Sequence, residues 1–124
     1  MIDYNELIND VFQLEQKLFR KMDAYRLIEK KCVEKCLNSD DKKQLNEEIH
    51  YVFIRLIRII KESCPALTDE DILFCCLKQA GLNNVIIGRC MGSVSRQSFN
   101  QRKYRIKAKM KAANCPHLFD LIFQ

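Results

Sequence analysis

The segment from Ser95 to Lys111 carries the side chains of this 124-residue chain that are best suited to binding chemistry. Amides alternate there with cations, and no Asp or Glu occurs between Ile72 and Phe119. Asn and Gln amides can form paired hydrogen bonds with N6 and N7 of adenine, Arg can pair with guanine, and cations bind phosphates. The segment therefore predicts contact with double-stranded DNA.

A helix over about residues 95–111 would separate these groups from the apolar ones. Phe99, Ile106 and Met110 would face inward, with the stem of Lys103 at the edge. The candidate base-reading residues lie on the opposite face: Gln97, Asn100, Gln101, Tyr104 and Arg105. The candidate phosphate-binding residues are Arg96, Arg102, Lys103, Lys107, Lys109 and Lys111. The alternative is a solvated basic face without a ligand, although such a face normally includes acids among its cations.

The two halves of the chain differ strongly in charge. Residues 1–71 hold 12 Lys/Arg and 15 Asp/Glu, a net charge of −3. Residues 72–124 hold 9 Lys/Arg and Asp120 as the one acid, a net charge of +8. This asymmetry indicates that the C-terminal half meets a polyanion and the N-terminal half does not.

Catalytic chemistry has little support in the sequence. No Ser/His/Asp or Cys/His arrangement, phosphate-binding Gly-rich loop or convincing carboxylate pair occurs, so we expect no enzyme, no catalytic residue and no cofactor. The seven cysteines include no CxxC pair, which favours free cysteines buried in the core. Free thiols in turn predict the reducing cytoplasm as the compartment. The alternative is metal or redox chemistry, because Cys32 and Cys36 lie one helical turn apart; we expect no metal.

Composition predicts the elements that position the basic helix. Only 3 Gly and 2 Pro occur and 48% of the residues are apolar, which favours long helices in a globular chain. The most apolar run, Val52 to Ile60, contains Arg55 and Arg58 and is far shorter than the roughly 20 residues of a membrane span. We therefore expect no membrane contact.

Apolar spacing predicts two long amphipathic helices in the N-terminal half. The first covers residues 3–37, and its inward stripe is Leu7, Val11, Leu14, Leu18, Met22, Tyr25, Ile28, Cys32 and Cys36. Asn38 is expected to stop this helix in the left-handed conformation and Ser39 to cap the next one. That second helix covers about residues 40–63, with Leu45, Ile49, Val52, Phe53, Leu56, Ile59 and Ile60 inward.

Capping signals divide the C-terminal half into shorter helices. Thr68 and Asp71 are spaced as a capping box, followed by Ile72, Leu73, Cys76 and Leu77 on the inward face. Gly81 suits a left-handed helix end, and a short helix over about 84–91 follows. Gly92-Ser93-Val94 forms a second turn, and Ser95 caps the basic helix. A short helix, a tight turn and a longer basic helix are typical of a helix-turn-helix.

The segment 66–112 resembles LuxR/GerE-type DNA-binding domains. Leu67-Thr68, Leu77, Gly81-Leu82, Asn84, Ile87-Gly88 and Met91 are similar to the family pattern without a gap. Val94, Ser95, Phe99, Ile106 and Met110 resemble its recognition helix if the turn holds one extra residue. The sequence departs from the pattern at Gly88 and Ile86. The resemblance implies a DNA-binding helix-turn-helix, and it does not extend to residues 1–64.

These patterns together predict an all-α protein. A long N-terminal helical hairpin or coiled coil (1–64), serving as dimerisation region or stalk, precedes a helix-turn-helix domain (65–124). We expect a homodimer through the N-terminal helices, because a two-helix hairpin leaves apolar surface uncovered; the alternative is that these helices wrap the C-terminal domain in one monomeric core. The apolar tail, with Asn114 as expected cap of a last short helix, either covers the core or contributes a dimer contact.

The function predicted from these features is a transcriptional regulator that reads specific DNA sequences as a dimer. The alternative is a helical interaction or oligomerisation module whose degenerate helix-turn-helix does not read DNA. The long acid-free stretch favours the regulator, since an adaptor would not require it.

Overall fold

The computed structural model describes residues 4–92 and 95–123, with side chains from Glu6 onward. Within these ranges the chain is all-helical and contains no β-strand. The helices are α1 (Tyr4–Phe19), α2 (Asp23–Lys31), α3 (Ser39–Val52), α4 (Ile54–Ser63), α5 (Asp69–Gln79), α6 (Asn84–Met91), α7 (Arg96–Ala112) and α8 (Pro116–Ile122).

The predicted single helix over 3–37 is wrong, because the chain forms α1 and α2 with a break between them. Two i→i+3 hydrogen bonds end α1, from Lys21 N to Leu18 O (3.1 Å) and from Met22 N to Phe19 O (2.9 Å). Met22 is extended (φ −87°, ψ 158°) and starts α2. The break lets Phe19 pack between Tyr25 and Phe53, with ring centroids 5.9 and 5.5 Å away.

The predicted inward stripe of α1 is also wrong, apart from Val11, which is partly buried against the core. Leu7, Leu14 and Leu18 are exposed, and the buried face of α1 instead carries Phe12, Glu15 and Phe19. Steps of three and four residues occur along both faces of this helix, so periodicity alone could not separate them. Further along the predicted stripe, Ile28 and Cys32 are buried as expected, whereas Cys36 is exposed.

The second predicted helix is present but divided into α3 and α4 at Phe53. Six of its seven predicted inward residues are buried, and Ile59 is partly buried. Asn38 does not stop a helix: it is the N-cap of α3, with its side-chain oxygen accepting from Asp41 N (2.8 Å). Glu15 explains the division at Phe53, since its carboxylate accepts from Arg55 N (3.1 Å) and Leu56 N (3.2 Å) at the start of α4.

Helix α5 lies at the centre of the structure. Every residue from Asp71 to Leu77 is buried, including all four that were predicted to face inward. α3 and α4 pack on α5 from the N-terminal half, and α6 and α8 pack on it from the C-terminal half. The buried side chains form one hydrophobic cluster from Phe12 to Ile122, so the stripe of α3 and α4 is covered within a single chain.

Hydrogen bonds reinforce this packing between the two halves. Gln16 Nε2 donates to Gln79 O (2.9 Å) and Arg20 Nε donates to Ala80 O (3.4 Å), so the last turn of α1 and the residue after it satisfy carbonyls at the end of α5. Gly81 follows in the left-handed region at φ +86°, as predicted for the end of that helix.

The C-terminal tail folds back over the core as α8. Leu118, Phe119 and Ile122 are buried, and α8 packs on α5 and α7, which agrees with the core-covering alternative. Asn114 does not cap α8, contrary to expectation. It is left-handed (φ +61°) and ends α7, where its N–H donates to Lys111 O (3.1 Å) and the next N–H donates to Met110 O (2.9 Å).

Candidate nucleic-acid interface

Local capping positions the basic helix α7 and the short helix before it. Asn83 caps α6 by accepting from Ile86 N (2.9 Å), and Gly92 ends it in the left-handed conformation (φ +79°). Ser95 caps α7 by accepting from Ser98 N (3.3 Å), as predicted. Ser93 and Val94 lie outside the described residues. The predicted extra residue in the turn between α6 and α7 therefore stays a prediction.

The inward face of α7 is the predicted one. Phe99, Ile106 and Met110 are buried. Phe99 packs against Phe74 of α5, with ring centroids 4.9 Å apart. These contacts determine which side of α7 remains available to solvent.

Four of the five candidate base-reading residues form an exposed patch on α7. Gln97, Asn100, Gln101 and Tyr104 line one shallow surface groove together with Arg96. Tyr104 is 76% exposed although its ring is large. The first two turns of α7 therefore present three amides to solvent, and Tyr104 adds a phenol at the start of the third turn. We call these four residues the amide patch.

The fifth candidate, Arg105, lies beside a buried carboxylate that sequence reasoning had treated only as a helix cap. Asp71 is fully buried, and its Oδ1 atom is 3.0 Å from Arg102 Nη1 and 3.5 Å from Arg105 Nη2. Its Oδ2 atom is 3.1 Å from Lys109 Nζ. Asp71 thus pairs with three cations along one edge of α7 and is the counter-charge of the acid-free segment.

Asp71 also completes the predicted capping box of α5. Thr68 N donates to Asp71 Oδ2 (3.1 Å), and Thr68 Oγ1 accepts from Asp71 N (3.2 Å). Burial alone would raise the pKa of Asp71, but hydrogen bonds from Thr68 and Lys109, with the charge of Lys109, together lower it below its ordinary value. The carboxylate is therefore ionised and holds α7 to the start of α5.

The six candidate phosphate-binding residues fall into three groups. Arg102 and Lys109 are partly buried on Asp71. Lys103 lies over the ring of Phe123, which follows α8, 5.9 Å from its centroid, and Lys107 lies over the ring of Phe119 in α8, 5.6 Å from its centroid. The third group, Arg96 and Lys111, is exposed at the two ends of α7. The structure thus spreads these cations around α7 rather than along one face.

Lys78 is a cation near this surface that the candidate set omitted. Burial, and then the charge of Lys103, lower the pKa of Lys78. Its Nζ atom donates to Asn84 Oδ1 (3.4 Å) at the start of α6. Lys78 of α5 thus lies close enough to Lys103 of α7 for its charge to lower this pKa, although the two lie far apart in sequence.

Asp71 itself was missed as a partner of α7. Its burial could not be inferred, since a capping acid is usually solvated. The one available signal was the spacing of Arg102, Arg105 and Lys109. It places three cations on one edge of a helix, which favours an acidic side chain on the element that packs against that edge.

Helix α6 is held to the N-terminal half by its last turn. Arg89 Nη1 donates to Cys32 O (2.8 Å) and also contacts Val33 O, while Arg89 O accepts from Leu37 N (3.2 Å). The segment that joins α2 to α3 therefore supports α6, and through it the position of α7.

The cysteines contribute mainly to packing. Six of the seven are buried, and the thiols of Cys32 and Cys90 lie 3.9 Å apart between α2 and α6. Burial raises the pKa of both thiols, which disfavours the thiolate needed for metal binding or nucleophilic attack. Across the described residues, no group of three or more His, Cys, Asp or Glu could hold a metal ion.

Comparison of the chain with protein-family models, curated proteins and solved structures gives no match. In the part of the chain that the structure describes, no helix is both long and apolar enough to cross a bilayer.

Proposed function

We propose that this protein is a sequence-specific DNA-binding regulator of transcription that acts as a dimer through α7. The observation that carries the proposal is the amide patch, which lies at the N-terminal end of a basic helix, where such helices enter the major groove. The resemblance of residues 66–112 to LuxR/GerE-type domains points in the same direction.

The roles within α7 follow from exposure. Gln97, Asn100 and Gln101 would read base edges, because their amides face solvent in the first two turns. Tyr104 would contact the base edges or sugars that follow. Arg105 is 53% exposed beside Asp71, so its guanidinium can turn towards DNA while it stays close to the carboxylate.

Phosphate binding would depend most on the exposed cations. Arg96, Lys107 and Lys111 are exposed and would neutralise phosphates directly. Arg102 and Lys109 are engaged by Asp71, and Lys103 is partly buried, so these three would serve mainly to position α7. In a dimer, two such helices would read half-sites about one DNA turn apart.

The capture of three cations by Asp71 favours a second candidate function. It lowers the charge that α7 presents, as would suit a helical interaction or oligomerisation module that no longer reads DNA. Binding to random duplex DNA across a salt series separates the two candidates. The regulator predicts measurable affinity at low salt that falls steeply as salt rises, whereas absence of binding at low salt would reject it.

Base reading has its own test, in which bound sequences are first selected from a random DNA pool. Asn100→Ala with Gln101→Ala should then reduce the preference for the selected sequence by about tenfold or more and leave non-specific binding largely unchanged. Gln44→Ala with Asn46→Ala, which removes two exposed amides from α3, is the matched control and should change neither quantity. Equal weakening on every sequence would refute the base-reading role.

A further inference from the structure

The exposed face of α1 is unusually apolar. Leu7, Leu14 and Leu18 are 50%, 59% and 49% exposed. Leu14 and Leu18 line one groove with Tyr51 and Ile54, which are 78% and 54% exposed at the junction of α3 and α4. Single exposed apolar residues are ordinary, but a contiguous group along one groove marks an interaction surface.

The charges beside this face indicate which partner fits it. Asp10 and Lys17 are both exposed and lie seven residues apart, so they occupy the same flank of the leucine stripe two helical turns from each other. A two-fold axis near Leu14 would place Asp10 of one copy beside Lys17 of the other, and the reverse pair would form as well. The surface is thus complementary to itself when two α1 helices run antiparallel.

We propose that the exposed face of α1 binds a second copy of this chain through an antiparallel α1 pair centred on Leu14. Leu7, Leu14 and Leu18 of the two copies cover one another, and Tyr51 and Ile54 pack at the sides. α1 has 16 residues and is about 24 Å long, so the contact is smaller than a standard protein interface. We therefore expect a dimer whose population rises visibly with protein concentration.

This inference concerns association in the absence of DNA, so its failure is distinguishable from failure of the proposed function. It deepens that function by supplying the contact that would hold two α7 helices together. A chain that is a monomer without DNA and dimerises only on DNA would overturn the inference alone, and a dimer that does not bind DNA would overturn the proposed function alone.

The first test measures the mass of the full chain by sedimentation over a wide concentration series without DNA. The wild-type chain should shift from monomer to dimer, and Leu14→Glu should raise the dissociation constant by at least about tenfold. Val33→Glu changes an equally exposed apolar residue (62%) that lies outside the groove, and it should leave association unchanged. A wild-type monomer at all concentrations, or a dimer indifferent to Leu14→Glu, overturns the proposal.

The second test examines the antiparallel register by exchanging the charges of Asp10 and Lys17, two exposed residues of α1. Asp10→Lys or Lys17→Asp alone should weaken the dimer about three- to tenfold, because each places like charges together. Asp10→Lys with Lys17→Asp in one chain should restore wild-type association. Failure of the double exchange to restore association would reject the antiparallel pairing of Asp10 with Lys17 and overturn the proposal as stated. Circular dichroism of each variant verifies that its helix content is unchanged.

Discussion

Two acids are buried among the described residues, Glu15 in the N-terminal half and Asp71 in the C-terminal half. Both accept backbone N–H groups at the start of a helix, α4 for Glu15 and α5 for Asp71. Their pKa values nevertheless move in opposite directions. Burial raises the pKa of Glu15 more than its amide partners and Arg55 lower it, whereas the partners of Asp71 overcome the effect of burial.

The comparison separates two uses of a buried carboxylate. A buried acid can stabilise the start of a helix by accepting backbone N–H groups even when burial raises its pKa. Glu15 does this at the start of α4. Thr68 and Lys109 both stabilise the ionised form of Asp71, and its ion pairs with Arg102, Arg105 and Lys109 join α5 to α7 electrostatically. The first acid shapes the scaffold, and the second orients the candidate DNA-binding helix.

The largest expected effect comes from Asp71→Asn. The change leaves three cations around a buried neutral group and should lower the free energy of unfolding by about 2–3 kcal/mol. This loss lies at or below the lower end of the roughly 3–5 kcal/mol expected when one partner of a buried ion pair is removed, because all three cations are partly exposed. Urea denaturation measures the loss.

Asp69→Asn is the control, since Asp69 is an exposed acid in the first turn of the same helix. It should change stability by less than about 0.5 kcal/mol. Similar losses in the two variants would mean that Asp71 acts as a first-turn charge and not through α7.

A smaller effect is expected at Glu15. Glu15→Ala leaves the N–H groups of Arg55 and Leu56 without their acceptor and should cost about 1–2 kcal/mol in urea denaturation. Glu15→Gln keeps an acceptor oxygen and removes a charge that burial disfavours, so it should cost less than Glu15→Ala. If Glu15→Gln costs as much as Asp71→Asn, the contrast between the two acids is wrong.

The smallest effect is the pH dependence of stability, whose sign differs between the two sites. The folded chain binds the Glu15 proton more tightly than the unfolded chain does, so wild type should lose stability relative to Glu15→Gln as pH rises above the ordinary pKa of 4.5. The folded chain binds the Asp71 proton less tightly. The advantage of wild type over Asp71→Asn should therefore be present above the ordinary pKa of 3.8 and decline as pH falls below it.

Urea denaturation of wild type and both variants over a pH series measures these differences. If the stability difference between wild type and variant changed with pH in the same direction at both sites, the predicted opposite pKa shifts of Glu15 and Asp71 would be wrong.

Helix type, several helix ends and the inward face of α7 were predictable from the sequence by itself. Thr68, Gly81 and Ser95 act on backbone groups within a few residues, and Phe99, Ile106 and Met110 form the one apolar stripe in a strongly polar helix, so local patterns were sufficient. Periodicity failed in α1, where two apolar faces compete.

Only the tertiary structure decided which face of α1 is buried, where the long N-terminal helices break and what Asp71 binds. Each depends on a partner distant in the chain: Phe19 on Phe53, Arg55 N on Glu15, and the cations of α7 on Asp71. Cap signals and periodicity contain no information about such partners, because the free energy of these contacts arises only when distant segments pack and exclude water.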